Sequence, residues 1–413
     1  MKFRPFASYL PLKEKAADIV CPPYDVVDTQ EARSLAGPDS FLHIIRSEIE
    51  LSVDIDVHSS QVYDLAANNL NQWISKGLLF KDSEPCLYLY RLTAFGRSQT
   101  GIAGLSFIDD YLNNKIKKHE FTRPDKEEDR RRHIDRTGCN TEPVFFAYRS
   151  EAVPRIEEIL QSETNRPADY DVVTEDKVRH EIFRIPVGKV QDELVSLYQN
   201  LDSVYIADGH HRTASTVRVG VSRRDQAKLQ NKPITENDEY QWFLSVTFPS
   251  SHLFIMPYNR LVKDLNGYSV DEFLLKLKQI GSVAKRQTTT TELHRIDFYL
   301  EKEWYSFRPN IIESDVSKSL DVAILQDQVL APVLGIHDAR TSERISFVGG
   351  IRGEKELIAK VDSGDWSVAF SLHATPIQSL FDIADSGNVM PPKSTWFEPK
   401  LRSGFFVHSL NQD

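Results

Sequence analysis

Asp208-Gly209-His210-His211-Arg212 puts a carboxylate, two imidazoles and a guanidinium side by side along one short stretch of chain. These groups together can bind phosphate, exchange a proton and hold a divalent cation, and Gly209, lacking a Cβ, lets a ligand come close to the backbone. A second set lies upstream at Lys118-His119-Glu120, with Arg123 close behind. A carboxylate set among cations at the entry to a helix suits a general base or a metal ligand.

Both sets need elements to hold them. Val204 to Ala207 are β-branched, aromatic or small and predict a buried strand ending at Asp208, which stands where an N-cap would stand. His211 to Val219 contain no breaker before Gly220, so a helix follows, with Thr213 in its first turn. Such a strand-turn-helix aims free backbone N–H groups and the positive end of a helix dipole at one point, which makes an anion site from Gly209 to Thr213. Capping alone does not call for so many reactive residues directly after a buried strand.

For the upstream set, Thr122 with Asp125 approximates a capping box and Pro124 falls in the first turn. Glu127 with Arg131 and Glu128 with Arg132 are i,i+4 pairs, so the charge run from Asp125 predicts a helix with a solvated face. Near the start of the chain, Cys21-Pro-Pro-Tyr24-Asp25 has an extended backbone fixed by its prolines. It is either a rigid connector or a means of presenting Tyr24 and Asp25 to a substrate. The stretch from Met390 to Val407 carries a Pro-Pro bend, aromatic residues and a closing strand, unlike a frayed tail. It is expected to pack back on the body and to offer Lys393 and Ser394 to a pocket.

The remaining elements are a strand over Ser40 to Arg46, an amphipathic helix over Ser59 to Lys76, and hairpin strands at Cys86 to Thr93 and Gly101 to Ile108. Further strands fall at Pro143 to Tyr148 and Trp242 to Phe248. Beyond about Arg260 strands and helices interleave anew, with a helix over Val322 to Leu330 among them. The expected organisation is an α+β, mixed-sheet domain over 1–260 and a second α/β domain over 261–413.

A formal net charge of -10 over 413 residues argues against nucleic acid as the partner, because phosphate backbones select basic faces. The three cysteines have no paired spacing, so neither a disulfide framework nor a zinc ribbon is encoded. With no apolar leader and no membrane-length run, a soluble cytoplasmic protein is expected, with small molecules as partners and the oligomeric state open, a homodimer included. A zinc site on His210 and His211 is disfavoured, since adjacent helical residues point about 100° apart.

The blocks CPPYDVV, SFLHIIR, KKHEFTRPDKEEDR, YIADGHHR and MPPKSTWFEPKLRSG resemble the signature blocks of the bacterial domain-of-unknown-function family one-thousand-fifteen. More distantly, the chain is similar to the ParB and sulfiredoxin superfamily, and within it to the free serine kinases, which share a His-Glu before a charged helix and an Asp-Gly-x-His-Arg turn. That resemblance implies a ParB/sulfiredoxin-like core around residues 110–250 with Glu120 as catalytic base. It also implies Asp208, His210, His211 and Arg212 as the turn handling phosphate and metal, Asp208 being the metal ligand. The likeness does not extend to the N-terminal blocks or to the residues beyond about Arg260.

Two functions follow from different classes. The first is a small-molecule kinase moving a phosphoryl group from ATP or ADP, with magnesium, to a hydroxyl such as that of free L-serine. That chemistry needs charge neutralisation, a positioned hydroxyl and a proton acceptor, here Glu120. Lys118, His119, Arg123, Tyr24, Asp25, Lys393 and Ser394 are the candidate substrate contacts. No Gly-x-x-x-x-Gly-Lys or Gly-x-Gly-x-x-Gly loop occurs, so a P-loop or protein-kinase site is excluded. The second is a nucleotide-binding regulatory module of the ParB-like type, which binds without turnover.

Overall fold

Runs of apolar and β-branched residues build a nine-stranded mixed sheet in the computed structural model, which describes residues 1–411. Its strands are β1 (Phe3–Arg4), β2 (Leu87–Ala94), β3 (Arg97–Phe107), β4 (Ile116–Lys117), β5 (Val144–Tyr148), β6 (Tyr170–Val173), β7 (Arg179–Ile185), β8 (Val204–Asp208) and β9 (Trp242–Pro249). The order is β4-β8-β5-β9-β3-β2-β7-β6, with β1 on β3. β2 and β3 form the expected hairpin, turning on Phe95 and Gly96 at φ 54° and 71°. Positive φ at both positions matches the right-handed twist of the flanking strands. β8 pairs parallel with β4 and antiparallel with β5, and β5 pairs parallel with β9. The middle of β8 is buried on both faces, which is why Val204 to Ala207 read as one continuous apolar run.

Three helices matter for the site: α1 (Ser60–Ser75), α2 (Pro124–Thr137) and α3 (His210–Leu229). α3 does not stop at Gly220 but runs on to Leu229. Gly220 is there for close packing, since a Cβ would stand 2.5 Å from the Tyr240 carbonyl oxygen. α2 departs from the expected solvated helix. Asp129, Arg130 and His133 are buried, and Tyr63 Oη and Arg130 Nε donate to Asp129 at 2.8 and 2.9 Å. Buried charges persist only when paired in this way. The expected i,i+4 pairs give way to bonds between helices, in which Arg218 of α3 holds Glu127 at 3.0 Å and Glu128 at 3.1 Å. Nor is there a capping box, because Arg123 occupies the N-cap without a side-chain bond and the Thr122 hydroxyl donates to Glu127 at 2.8 Å.

Ser40 to Arg46, expected as a strand, contains a short helix over Leu42–Ile45. A brief apolar run suits either state, and here Arg46 N finds Leu42 O at 2.8 Å while Phe41, Leu42, Ile44 and Ile45 all enter the core.

The chain divides at 254 and 399 rather than at 260. One unit comprises Met1–Leu253 with Pro399–Asp413, the other Phe254–Glu398. The second unit holds a six-stranded sheet whose pairings are all antiparallel, so it is α+β and not the α/β domain expected. Its helix at Asp321–Ile324 continues as a π turn over Leu325–Leu330 instead of one α-helix. The closing segment belongs to the first unit. Cys21 and Ser403 exchange backbone hydrogen bonds at 3.1 and 3.0 Å, Tyr9 and Val407 at 2.9 and 3.0 Å, and His408–Ser409 pairs with Cys139–Asn140.

Candidate functional site

The buried end of β8 delivers Asp208 to the sheet edge, Gly209 turns the chain at φ 91°, and α3 begins at His210. Only glycine takes this backbone conformation without strain, and a Cβ would also stand 3.1 Å from the Arg212 guanidinium. Thr213 closes the first turn, its N–H and hydroxyl both donating to Gly209 O at 2.9 and 3.0 Å.

Asp208 does not cap the helix; Gly209 holds that position. The Asp208 carboxylate is gripped by two cations, with Lys400 Nζ 3.0 Å from Oδ1 and Arg212 Nη2 2.8 Å from Oδ2. Burial alone would raise its pKa, but Lys400 and then Arg212 overcome that and hold it down at about 2. Arg212 is itself buried, donates to Pro143 O at 2.7 Å, and has Asp25 at 3.9 Å. Burial disfavours its charge, yet Asp25 and Asp208 together keep the guanidinium more strongly protonated than usual.

His119 and His210 meet edge to face, with ring centroids 4.5 Å apart and planes at 87°. Burial pushes the His210 imidazole far below its ordinary pKa and the neighbouring His119 adds to this; burial takes His119 to about 4 against the pull of Asp208. Both rings are therefore neutral at physiological pH. Glu120, partly exposed, places Oε2 3.8 Å from His210 Nδ1, which brings the upstream carboxylate to the turn. Three buried nitrogens here, His119 Nδ1, His210 Nε2 and Arg212 Nε, have no hydrogen-bond partner. Leaving each unmet costs on the order of 1–3 kcal/mol.

The other residues singled out in the sequence take supporting places. His211 Nε2 accepts the Arg123 backbone N–H at 2.9 Å and so fixes the entry of α2, while the Arg123 side chain turns to Asp125 at 2.8 Å. Lys118 Nζ sits 4.2 Å over the Tyr111 ring. Tyr24 lies buried beneath the Arg130 guanidinium at 4.1 Å, and its N–H donates to Glu142 Oε1 at 3.0 Å. Lys393 and Ser394 belong to the second unit. There Arg260 donates to the Lys393 carbonyl at 2.9 Å and the Ser394 hydroxyl to Pro391 O at 2.6 Å.

Sequence reasoning missed Lys400, Glu142 and Arg130. Glu142 is buried, accepts from Ser403 Oγ at 3.0 Å, and has its pKa raised by burial against the opposing Arg212 and Arg130. Lys400 lies within the tail block from Met390 to Val407, whose composition is unlike a frayed terminus, but nothing local sets it apart from Lys393.

The donor set does not fit a resident metal ion. Both Asp208 oxygens face cations, and among the described residues no group of three or more histidine, cysteine or acidic side chains could hold a metal. Asp208 thus fills the place expected of a metal ligand by holding Lys400 and Arg212.

The site is a strand-turn-helix junction, Val204–Asp208 running through Gly209 into His210–Leu229, built on a mixed sheet. The chain belongs to the family described as protein of unknown function (DUF1015), whose model matches residues 3–323. No curated protein matches it. Among solved structures it is similar to a free serine kinase in complex with AMP at 13% identity and TM-score 0.35, covering 71% of this chain and 86% of that one. It is similar to SbnI with a C-terminal truncation from Staphylococcus aureus at 13% identity and TM-score 0.41, covering 75% and 90%. A conserved hypothetical protein from Pyrococcus furiosus gives 14% identity and TM-score 0.33, covering 71% and 89%. Among the described residues no helix is long and apolar enough to cross a membrane.

Proposed function

We propose that this chain is a nucleotide-dependent phosphotransferase of the ParB/sulfiredoxin-like kind, moving a phosphoryl group from ATP or ADP to the hydroxyl of a small metabolite. The observation that carries this reading is one helix start that holds His119 edge to face on His210 at 4.5 Å, Arg212 on Asp208 at 2.8 Å, and Glu120 Oε2 3.8 Å from His210. Neutral imidazoles and a fixed guanidinium at a helix start suit phosphate oxygens, and a carboxylate beside them suits the proton of an incoming hydroxyl.

In the step this predicts, the acceptor oxygen attacks the terminal phosphorus and the bond from that phosphorus to the bridging oxygen breaks. The hydroxyl proton passes to Glu120, and the shortened nucleotide leaves with the bonding electron pair. Arg212, clamped by Asp208, Asp25 and Pro143 O, holds its charge in place without reorganising. Magnesium enters this reading as a companion of the nucleotide phosphates, not as an ion resident on Asp208.

Free L-serine is the acceptor to try first, because the His-Glu and Asp-Gly-x-His-Arg blocks resemble those of free serine kinases. The test is incubation of the pure protein with ATP or ADP, magnesium and a panel of hydroxyl metabolites, followed by mass spectrometry. Phosphoserine or another phosphorylated product is expected. Nucleotide binding with no phosphorylated product would leave the regulatory-module reading in its place.

A further inference from the structure

The closing segment of the chain reaches the candidate site from far away in sequence. Lys400 and Asp208 are 192 residues apart, and the whole second unit lies between them in the chain. The segment is fixed on both sides of Lys400. Gln99 Nε2 donates to Pro399 O at 3.0 Å, Arg402 N donates to Tyr90 Oη at 3.2 Å, and Ser403 is tied to both Cys21 and Glu142. A side chain whose neighbours are held this way presents its charge at a set position, as a binding group must.

Asp208 holds Lys400 beside the turn, with Nζ 3.0 Å from Oδ1. Arg212 already meets one carboxylate oxygen at 2.8 Å, and the N-terminus of the long α3 helix supplies further positive potential. A lysine brought in against the second oxygen, with only 17% of its side chain exposed, loses hydration and conformational freedom that an exposed lysine keeps. What it adds is a second cationic head at the turn that carries Asp208, His210 and Arg212. A lysine head held at a helix start is a point charge suited to the oxygens of a polyphosphate.

We propose that Lys400, carried back by the C-terminal segment, is a phosphate-binding residue of this site and contacts the di- or triphosphate of the nucleotide. This rests on the nucleotide-dependent reading given above. Asp208 acts as the anchor that aims Lys400, and the return of residues 399–409 to the first unit brings this lysine to the turn.

The test measures ADP and adenosine binding by calorimetry to the full chain and to its Lys400→Met and Lys400→Arg variants. Loss of one charge-assisted phosphate contact should weaken ADP binding by about 10- to 100-fold in Lys400→Met. Adenosine affinity should be unchanged, and Lys400→Arg should recover most of the loss. Equal ADP affinity in wild type and Lys400→Met would overturn the inference while leaving the nucleotide reading intact. A wild type that binds no ADP would overturn both. If Lys400→Met does not fold, acylation of wild-type lysines followed by peptide mass spectrometry decides the matter. ADP should then protect Lys400 and leave the exposed Lys360 as reactive as before; equal labelling of Lys400 with and without ADP overturns the proposal.

Discussion

His210 Nδ1 stands 3.8 Å from Oε2 of Glu120, so the first residue of α3 and the loop that precedes α2 meet at one point. Because burial keeps the His210 ring neutral, it places no counter-charge beside Glu120. Glu120→Gln preserves the size and reach of the side chain but cannot accept a proton. Turnover should fall by roughly 10²- to 10⁴-fold, with nucleotide affinity almost unchanged. Steady-state rates and calorimetry on the same preparation check this, and a matching fall in affinity would assign Glu120 to binding instead.

Arg212 should behave differently, because it is buried and serves both the ligand and the fold. Arg212→Ala removes the bond to Pro143 O and one of the two cations on Asp208. It should therefore weaken nucleotide binding as well as turnover, and lower stability by about 3 kcal/mol or more, as loss of one partner of a buried pair does. Urea unfolding and nucleotide titration together test the claim. An Arg212→Ala protein with wild-type stability and affinity would remove the residue from both roles.

Much of this site was legible locally. The strand into Asp208, the turn at Gly209 and the helix beyond follow from an apolar run, one glycine and the absence of breakers, all within a few residues. Glu120 stood out because it lies between cations before a proline that opens a helix. What could not be read was closure over long distances. The contact of Lys400 with Asp208, the burial of Arg130 between Asp129 and Tyr24, and the return of the tail past the inserted unit depend on packing that no local pattern records. The burial of Asp129 and Arg130 was hidden for a related reason. In a charge-rich helix, solvated and buried ion pairs have the same composition, and only the neighbours decide between them.

Buried histidines make stability depend on pH in a definite direction. His119 and His133 are each held at about 4, mainly by burial, where an ordinary imidazole titrates near 6.5. The unfolded chain takes up these protons first as pH falls, so the contribution of these two groups is complete above 6.5 and is lost through the window from 6.5 to 4. Each group contributes at most about 3 kcal/mol to that decline. Asp208, held at about 2, adds a further loss between its ordinary 3.8 and 2. Urea midpoints measured between pH 7 and 4.5 should fall steadily, and His133→Gln should flatten the slope, since it keeps a donor for the Ile44 carbonyl without a titrating ring. Constant midpoints across that range would show that these histidines are not buried neutral.

The middle of α3 offers a test of packing alone, away from the reactive turn. On helix propensity, Gly220→Ala should stabilise the chain by about 1 kcal/mol, because glycine is the poorest helix former after proline. The structure opposes that gain, since a Cβ at 220 would lie 2.5 Å from the Tyr240 carbonyl oxygen and 3.0 Å from Ile108 Cδ1. The isoleucine tip can rotate away, but the carbonyl is backbone and can move only if the short helix Glu239–Gln241 shifts off α3. Overpacking of this kind costs about 1–3 kcal/mol or more, and the contact is with backbone, so the upper part of that range applies. The expected result is a net loss of roughly 1–2 kcal/mol once the propensity gain of alanine is set against it. Nucleotide affinity should stay close to wild type, because the change lies more than two helical turns beyond Arg212. A Gly220→Ala protein that melts higher than wild type would show that α3 and the Tyr240 backbone do not approach as closely as described.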